Sequence, residues 1–514
     1  MVKIARPVPI RNKNKLPLPA VPAALGMAVS FYSYPLLLSI PRGLYLLAGL
    51  IFVLLIAVTL LRVLRFLPWK TTQAVPIIGL LAVAAAAGFV LGIAARRAAP
   101  GPAKTGLAPE TVIAVRGLLR EDPRTLQGGS GLGILELREC SGPGGLRATA
   151  GGSITVFFPA ESIPRLKEFG RGCEIYSDGI YTAGSNSAGD QRPVFRAASV
   201  HITKPASSLE QFRTGLRQKL LDRFQSRRGE IPVWGSFASA LLLGIRDDLD
   251  TDFSGAFRNS GCTHILALSG MHLAIISGVL AFFLKKPLGI RWASLIGALF
   301  IVFYVFVAGS QPSLVRAAIM YLIGTLALWN LLKGKTISLL SMAFIIQLIF
   351  QGETGTSLSF ILSYLALAGM VSLGEPLQSL FRGRLPNVIG GGISASLGAF
   401  IATAPVVVFY FGSLWPIGIL AGLVVAPVSS LFMVIALAAL AASFIPIPLW
   451  DLLDLVLSLI YRFIEVTVSA AGRVPGFSFP DAVPVLFISI LTWLLILFLR
   501  KLDDSKRKSL ASFD

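Results

Sequence analysis

Phe257–Leu284, FRNSGCTHILALSGMHLAIISGVLAFFL, decides how this chain is read. The stretch is apolar and long enough to cross a bilayer. It carries two of the three histidines, His264 and His272, with Ser269 and Gly270 between them. An ionisable residue inside a membrane is costly to insert, so each is a functional-site candidate by default. Read as one helix, residues eight apart differ by about 80° in direction, and both imidazoles share a broad face. Gly261, Leu268, Ile275 and Val279 lie on that face too. Two roles stand open for the histidines: lining a passage, or bonding neighbouring helices to hold a bundle together.

Composition extends this reading to the whole molecule. Of 514 residues, 54% are hydrophobic and 14% charged, more apolar surface than a water-soluble chain of this length can hide. The expectation is a polytopic α-helical membrane protein with about 12 spans of roughly 20 residues each. They fall near 17–40, 43–61, 75–95, 257–284, 290–309, 314–332, 336–351, 357–374, 388–411, 414–441, 447–471 and 483–500. Basic residues gather in alternate connections: Lys3 to Lys15, Arg62 to Lys70, Lys285 to Arg291, Lys333 and Lys335, Arg382 and Arg384, and the tail from Arg500 to Lys508. The positive-inside rule then places both termini in the cytoplasm. Arg96 and Arg97, at the outer end of the third span, run mildly against it. The apolar segments are too long and too numerous for a cleavable signal peptide. The net charge of +20 reflects this topology in part, and in part a basic surface suited to polyanions.

Residues 100–205 change character. Gly, Pro and charge rise, and five β-type runs occur: Thr111–Leu119, Leu132–Glu139, Ser153–Phe158, Gly172–Ile180 and Val194–Ile202. A short helix is predicted over 160–169. Five strands with a helix between the third and fourth predict a small OB-like barrel, extracytoplasmic on the topology above. From Arg96 to Glu230 there are 20 Lys and Arg against 13 Asp and Glu, with Phe157, Phe158, Tyr176, Tyr181 and Phe195 interspersed. Basic residues with aromatics suit single-stranded nucleic acid; alternate aromatics on strands equally suit a barrel core. Cys140 and Cys173 both fall here, as a disulfide in an oxidising compartment or as two separate thiols. Residues 208–228 form a basic amphipathic helix expected at the membrane surface, with packing on the barrel as the alternative. Val233–Ile245 is short for a span and reads as re-entrant or interfacial. The chain thus divides into N-terminal spans (1–99), the barrel (100–205), amphipathic helices (206–259), a second membrane domain (260–502) and a basic tail (503–514).

Several motifs sharpen the function. Gly261, His264, Ala267, Ser269, Gly270 and His272 form Gly-x-x-His-(Leu/Ile)-x-Ala-x-Ser-Gly-x-His, after a turn at Leu243 and Gly244. GSQPSLVRAAIMYLIG puts Arg316 at the start of a span; TSLSFILSYLALAGM carries Leu358, Ser359, Phe360 and Gly369; ATAPVVVFYFGSLWPIGILAGLVVAPVSS follows. Together they resemble the ComEC-type competence channel family over residues 75–500. Ala421-Gly422 departs from that pattern, standing where the family usually has Asn.

The resemblance implies uptake of single-stranded DNA across a bacterial cytoplasmic (inner) membrane. It implies no cofactor, and pore or pivot roles for His264, Ser269, Gly270, His272 and Arg316. Many members continue into a metallo-β-lactamase-like domain. With only His201, His264 and His272, no two-metal ligand set is expected and the chain is not expected to be an enzyme. The implied partners are single-stranded DNA, the lipid bilayer, a separate nuclease and a cytoplasmic DNA translocase. Arg316 would receive phosphates near the outer face, or snorkel to headgroups. His272 would lie about 12 Å deeper than His264 on one helix, with Ser269-Gly270 permitting a bend. Gln347, Ser359, Ser363 and Tyr364 are weaker lumen candidates, and Arg462 with Glu465 reads as a local ion pair. The alternatives are a small-solute or polyanion transporter, and an intramembrane enzyme using Ser269 and His272, which can touch at a spacing of three. No half-to-half repeat supports the former, and no third, orienting acid supports the latter.

Overall fold

The computed structural model describes residues 20–37, 71–98, 103–126, 128–182, 193–225, 232–330, 335–443 and 450–479. The expected spans 43–61 and 483–500 and both basic tails lie outside these residues. In chain order, α1 (Ala20–Leu37) and α2 (Thr71–Ala98) precede a β-rich region. Its longer strands are β1 (Ala114–Leu119), β2 (Gly131–Ser141), β3 (Ser153–Phe158), β4 (Glu174–Thr182), β5 (Val194–Ala197) and β6 (His201–Lys204), with α3 (Ile163–Phe169) between β3 and β4, and the short strands Arg124–Thr125 and Arg147–Thr149 pair with β2.

The sheet order is β1-β2-β3-β5-β4-β6, and β1 also pairs with β4, closing a five-strand barrel from β1 to β5. Only β3 and β5 pair in parallel, as expected where a helix-bearing connection separates paired strands. Alternation explains the closure: along β2, Leu135 and Leu137 are buried while Ile134 and Glu136 are only partly so. Val115, Leu119, Ile154, Val156, Phe158, Ile175 and Phe195 join them in the core. The five strands and the helix stand where the sequence predicts them, except that the last expected run breaks into β5 and β6. Phe158, Tyr181 and Phe195 belong to this core, so Phe157 and Tyr176 are the two interspersed aromatics left partly accessible. Cys140 and Cys173, considered above as a pair, are both free and buried in the core. Burial pushes both thiols up to about 11.

Four helices lead to the membrane region: α4 (Ser208–Gln225), α5 (Gly235–Leu243), α6 (Thr251–Asn259) and the single turn α7 (Thr263–Leu266). Then follow α8 (Gly270–Ala308), α9 (Pro312–Trp329), α10 (Thr336–Phe350), α11 (Leu358–Phe381), α12 (Asn387–Phe411), α13 (Ile417–Ala442) and α14 (Trp450–Gly472). Among the described helices, α8, α9, α11, α12 and α13 are long and apolar enough to cross a membrane; Ala20–Ser33 and α10 are apolar but shorter. Twelve spans are therefore not counted in the described residues. α8 covers two expected spans and breaks at Gly289, where φ is 76°. Pro287 stands beside the break, and Lys285, Lys286 and Arg291 flank it.

The chain forms two compact units. One holds α1, α2 and the segments Leu280–Ile301 and Val315–Tyr364. Its first two helices meet backbone to backbone: a Cβ at Gly88 would lie 1.9 Å from the Ala23 carbonyl oxygen, the small-residue contact that membrane helices favour. The other unit holds the barrel, α4 to α7, Val302–Leu314 and the chain from Leu365. Its core packs Trp234 and Phe237 of the α5 region, Phe253 and Phe257 of α6, Phe432 of α13 and Tyr461 of α14. The Phe237 ring lies 4.9 Å from Phe432 and 5.5 Å from Phe253. The helix α5, expected to be re-entrant or interfacial, is buried on all sides here, as a helix apolar all round must be.

Candidate functional site

The stretch from Phe257 is not one helix. α6 ends at Asn259, Gly261 turns the chain at φ 71°, α7 makes one turn, and Ala267 is extended. Ser269 then caps α8, which begins at Gly270. The expectation that His264 and His272 share a helix face is thereby overturned. Gly261 and the polar Ser269 end segments that hydrophobicity alone would run together.

His272 is buried, with 1% of its surface accessible. Its Nδ1 accepts from the Ser269 backbone N–H at 3.1 Å and lies 2.9 Å from Ser269 Oγ. Ser269 Oγ accepts in turn from the Met271 N–H at 3.3 Å. This is a capping box in which His replaces the usual Glu or Gln. An accepting Nδ1 assigns the ring proton to Nε2. His264, by contrast, is exposed on α7, with Nδ1 3.2 Å from the Gly261 carbonyl oxygen.

Three of the sequence motifs converge on this break. Ser313 Oγ, in the first turn of α9, donates to the Leu268 carbonyl at 2.5 Å. Gly244, the left-handed C-cap of α5, faces the Leu268 side chain and Gln311. Tyr304 of α8 donates to the Leu242 carbonyl at 2.8 Å. From the last motif, Trp415 and Gly418 approach the turn at Gly261: a Cβ on Gly261 would meet the Trp415 carbonyl oxygen at 3.0 Å. Met271 Sδ lies 3.7 Å from Ser430 Oγ. Ala421, at the departure from the family pattern, is buried in the same core. Ser313, Gln311, Trp415 and Gly418 were not singled out from sequence, although their motifs were quoted; nothing local marks which member of a motif makes the contact.

Arg316 belongs to the other unit. It is buried, with 9% accessible. It donates to the Ser363 carbonyl and lies over the Tyr364 ring, 5.8 Å from its centroid. Tyr364 donates to Gln347 Oε1 at 2.8 Å. Three polar residues that sequence ranked as weak candidates thus surround Arg316. Its Nε has no hydrogen-bond partner, and a buried cation of this kind is costly unless a counter-charge comes to it. On α14, Arg462 and Glu465 pair at 3.4 Å, as read.

A charged cluster that sequence did not reveal ties the barrel to α4. Arg213 is fully buried and holds both Asp122 oxygens through Nη2, at 2.5 and 2.7 Å. Arg217 donates to the same carboxylate, as does the Arg171 N–H at 3.1 Å. Burial pushes the Asp122 carboxyl up, but Arg217 and Arg213 more than reverse this and hold it below the usual carboxylate range. The two arginines continue to helix ends: Arg217 to the Leu243 carbonyl at 3.1 Å, Arg213 to the Val307 carbonyl at 3.4 Å. Lys167 and Thr125 hold Asp247 in the loop after α5. α4 therefore packs on the barrel with Arg213 and Arg217 inward, while Leu209 and Phe212 are exposed. Its sequence period cannot distinguish a solvated Arg from one facing a carboxylate 91 residues away.

Among the described residues, no group of three His, Cys, Asp or Glu side chains is placed to hold a metal ion. Apolar helices of spanning length, with a buried polar helix start among them and a small closed barrel attached, define a membrane protein of the polytopic class. The chain belongs to the competence protein family, whose model matches residues 241–502, the region that contains the break, Arg316 and the later motifs. It is 30% identical to ComE operon protein 3 of Bacillus subtilis (strain 168) over 181 residues, covering 34% of this chain and 22% of that protein. It is 24% identical over 254 residues to an uncharacterized protein of Aquifex aeolicus (strain VF5), covering 49% of this chain and 58% of the other. The matches thus span less than two thirds of either relative's length. No solved structure matches the chain.

Proposed function

We propose that this protein is a route for single-stranded DNA across the bacterial inner membrane during natural transformation. In this reading both termini are cytoplasmic and the OB-like barrel receives the strand outside. The observation that carries it is the convergence of the Gly244, Ser269–His272, Gln311–Ser313 and Trp415–Gly418 segments, all within the region matched by the competence family.

A polyanion crossing about 30 Å of hydrocarbon needs polar groups that hold it weakly enough to release it. Arg316, a buried guanidinium with an unpartnered Nε, suits a phosphate in transit. The capped break at Ser269-Gly270 suits a pivot, because α8 there starts inside packed helices rather than at a surface. His272 serves that pivot, and His264, on the exposed turn, stands nearer any passing ligand. The 2.9 Å contact between Ser269 Oγ and His272 Nδ1 resembles a nucleophile and its base. The same Nδ1 already accepts the Ser269 N–H, so a capping role accounts for the pair. A nuclease and a cytoplasmic translocase are partners that suit this reading.

Deleting the gene in a transformable host tests the proposal. DNA uptake should fall to background with growth intact, and return with the wild-type gene. Unchanged uptake, accompanied by altered accumulation of a small solute, would replace the proposal with the transporter reading.

A further inference from the structure

We infer that the outer barrel face formed by β2, β1, β4 and β6 binds the sugar-phosphate backbone of single-stranded DNA. The inference rests on the uptake reading and gives it a specific surface. Directly paired residues on neighbouring strands point to one face. Glu139 pairs with Arg116, Arg116 with Tyr176, and Tyr176 with His201. These four make one row across four strands, and Lys204 stands beside it, opposite Glu174.

Glu174 organises the charge. Its side chain is 5% exposed. It lies 3.2 Å from Arg116 Nε, 3.7 Å from Arg138 Nη1 and 3.6 Å from Lys204 Nζ. Glu139 lies 3.8 Å from Arg116 and 3.7 Å from Arg147. Four cations thus share Glu174 and Glu139, and with the Asp178 carboxylate hydrogen-bonded to Tyr176 the face still holds more cations than carboxylates. The side chains of Arg138, Arg147 and Lys204 are 53%, 73% and 68% exposed. Exposed ion pairs of this length contribute little to stability, so their cations can turn to phosphates at small cost. Glu174 gathers three of them from beneath, where a ligand does not reach it. Tyr176, in the middle of the row, offers a ring on which a base can stack.

The rest of the barrel is less suited. OB barrels commonly use the loop between their first two strands for ligands. Here that loop is engaged: Asp122 and Thr125 are held by Arg213, Arg217 and Asp247. The outward pairs of β2 and β3 are Leu132 with Phe157, Ile134 with Thr155 and Glu136 with Ser153, none of them cationic; the cation next in that row is Arg196, opposite Phe157.

The test uses the full chain in nanodiscs of neutral phosphatidylcholine and a fluorescent oligothymidylate, titrated by anisotropy over a salt series. Replacing Arg138, Arg147 and Lys204 by Ala should weaken binding about tenfold or more and make the log–log salt slope shallower by about 2. Arg165→Ala, a charge removed from exposed α3, should leave both unchanged. An unchanged melting temperature for the triple variant verifies its fold. Wild-type affinity and slope in the triple variant would overturn the inference, as would loss on Phe157→Ala alone. Wild-type protein that ignores the oligonucleotide but gains phosphatidylglycerol vesicles through this face would overturn it in favour of lipid headgroups. If the triple variant binds DNA and restores transformation like wild type, this face is wrong and the uptake reading stands.

Discussion

His272 holds a helix start with an acceptor where Glu or Gln usually stands, and that makes its role separable from its ring chemistry. His272→Gln keeps an acceptor three residues after Ser269; His272→Ala removes it, at a cost of about 1 kcal/mol. We expect the alanine variant to reach the membrane and lose most transformation. The glutamine variant should retain about fivefold more than the alanine one, because a cap worth about 1 kcal/mol shifts an equilibrium by about that factor. Equal loss in both would assign the function to the imidazole itself. The barrel cysteines allow a second residue-level prediction. Thiolate is the reactive form, and burial pushes Cys140 and Cys173 up to about 11. At pH 7.5 the folded chain should resist maleimide at both, and a reductant should leave its melting temperature unchanged. Labelling at either in the folded protein would contradict their placement in the core.

Among elements, the joint between the barrel and α4 is the most consequential, because Arg213, Arg217 and the Arg171 N–H all meet on the Asp122 carboxylate. Removing one partner of a buried ion pair costs about 3 kcal/mol, so Asp122→Asn should lower the barrel's melting temperature clearly at pH 7. Asp122 is held below its ordinary value, so its contribution is present above the unfolded carboxylate pKa of about 3.9 and is lost as pH falls through the lower folded value. The gap between wild type and Asp122→Asn should therefore persist at pH 6 and narrow only below about pH 4. A gap that closed near pH 6 would point to a histidine instead. In the other unit, Gly88→Leu should separate α1 from α2, since even a Cβ would collide with the Ala23 carbonyl. Loss of disulfide crosslinking between cysteines engineered along that contact would report the separation.

For the whole molecule, the proposed topology places the barrel outside and both termini inside. Arg147→Cys puts an exposed thiol on a barrel whose own cysteines are buried. An impermeant maleimide should label it in intact cells, and reporters fused to either terminus should read as cytoplasmic. Protection of the introduced thiol until the cells are opened would invert the topology. At this scale much was legible in advance. Hydropathy marked the helices, and alternation marked five strands, because both depend on the residue types along one segment. The spacing of Gly, His and Ser marked the segment at which the helices meet. Composition determined a membrane protein with an inserted barrel, and the motifs determined its family. Tertiary structure decided the rest: that the chain breaks before Gly270, that Phe158, Tyr181 and Phe195 are core, and that Arg213 and Arg217 turn inward to Asp122. Caps, core positions and buried ion pairs depend on partners distant in sequence, so no local pattern of hydrophobicity or charge can specify them.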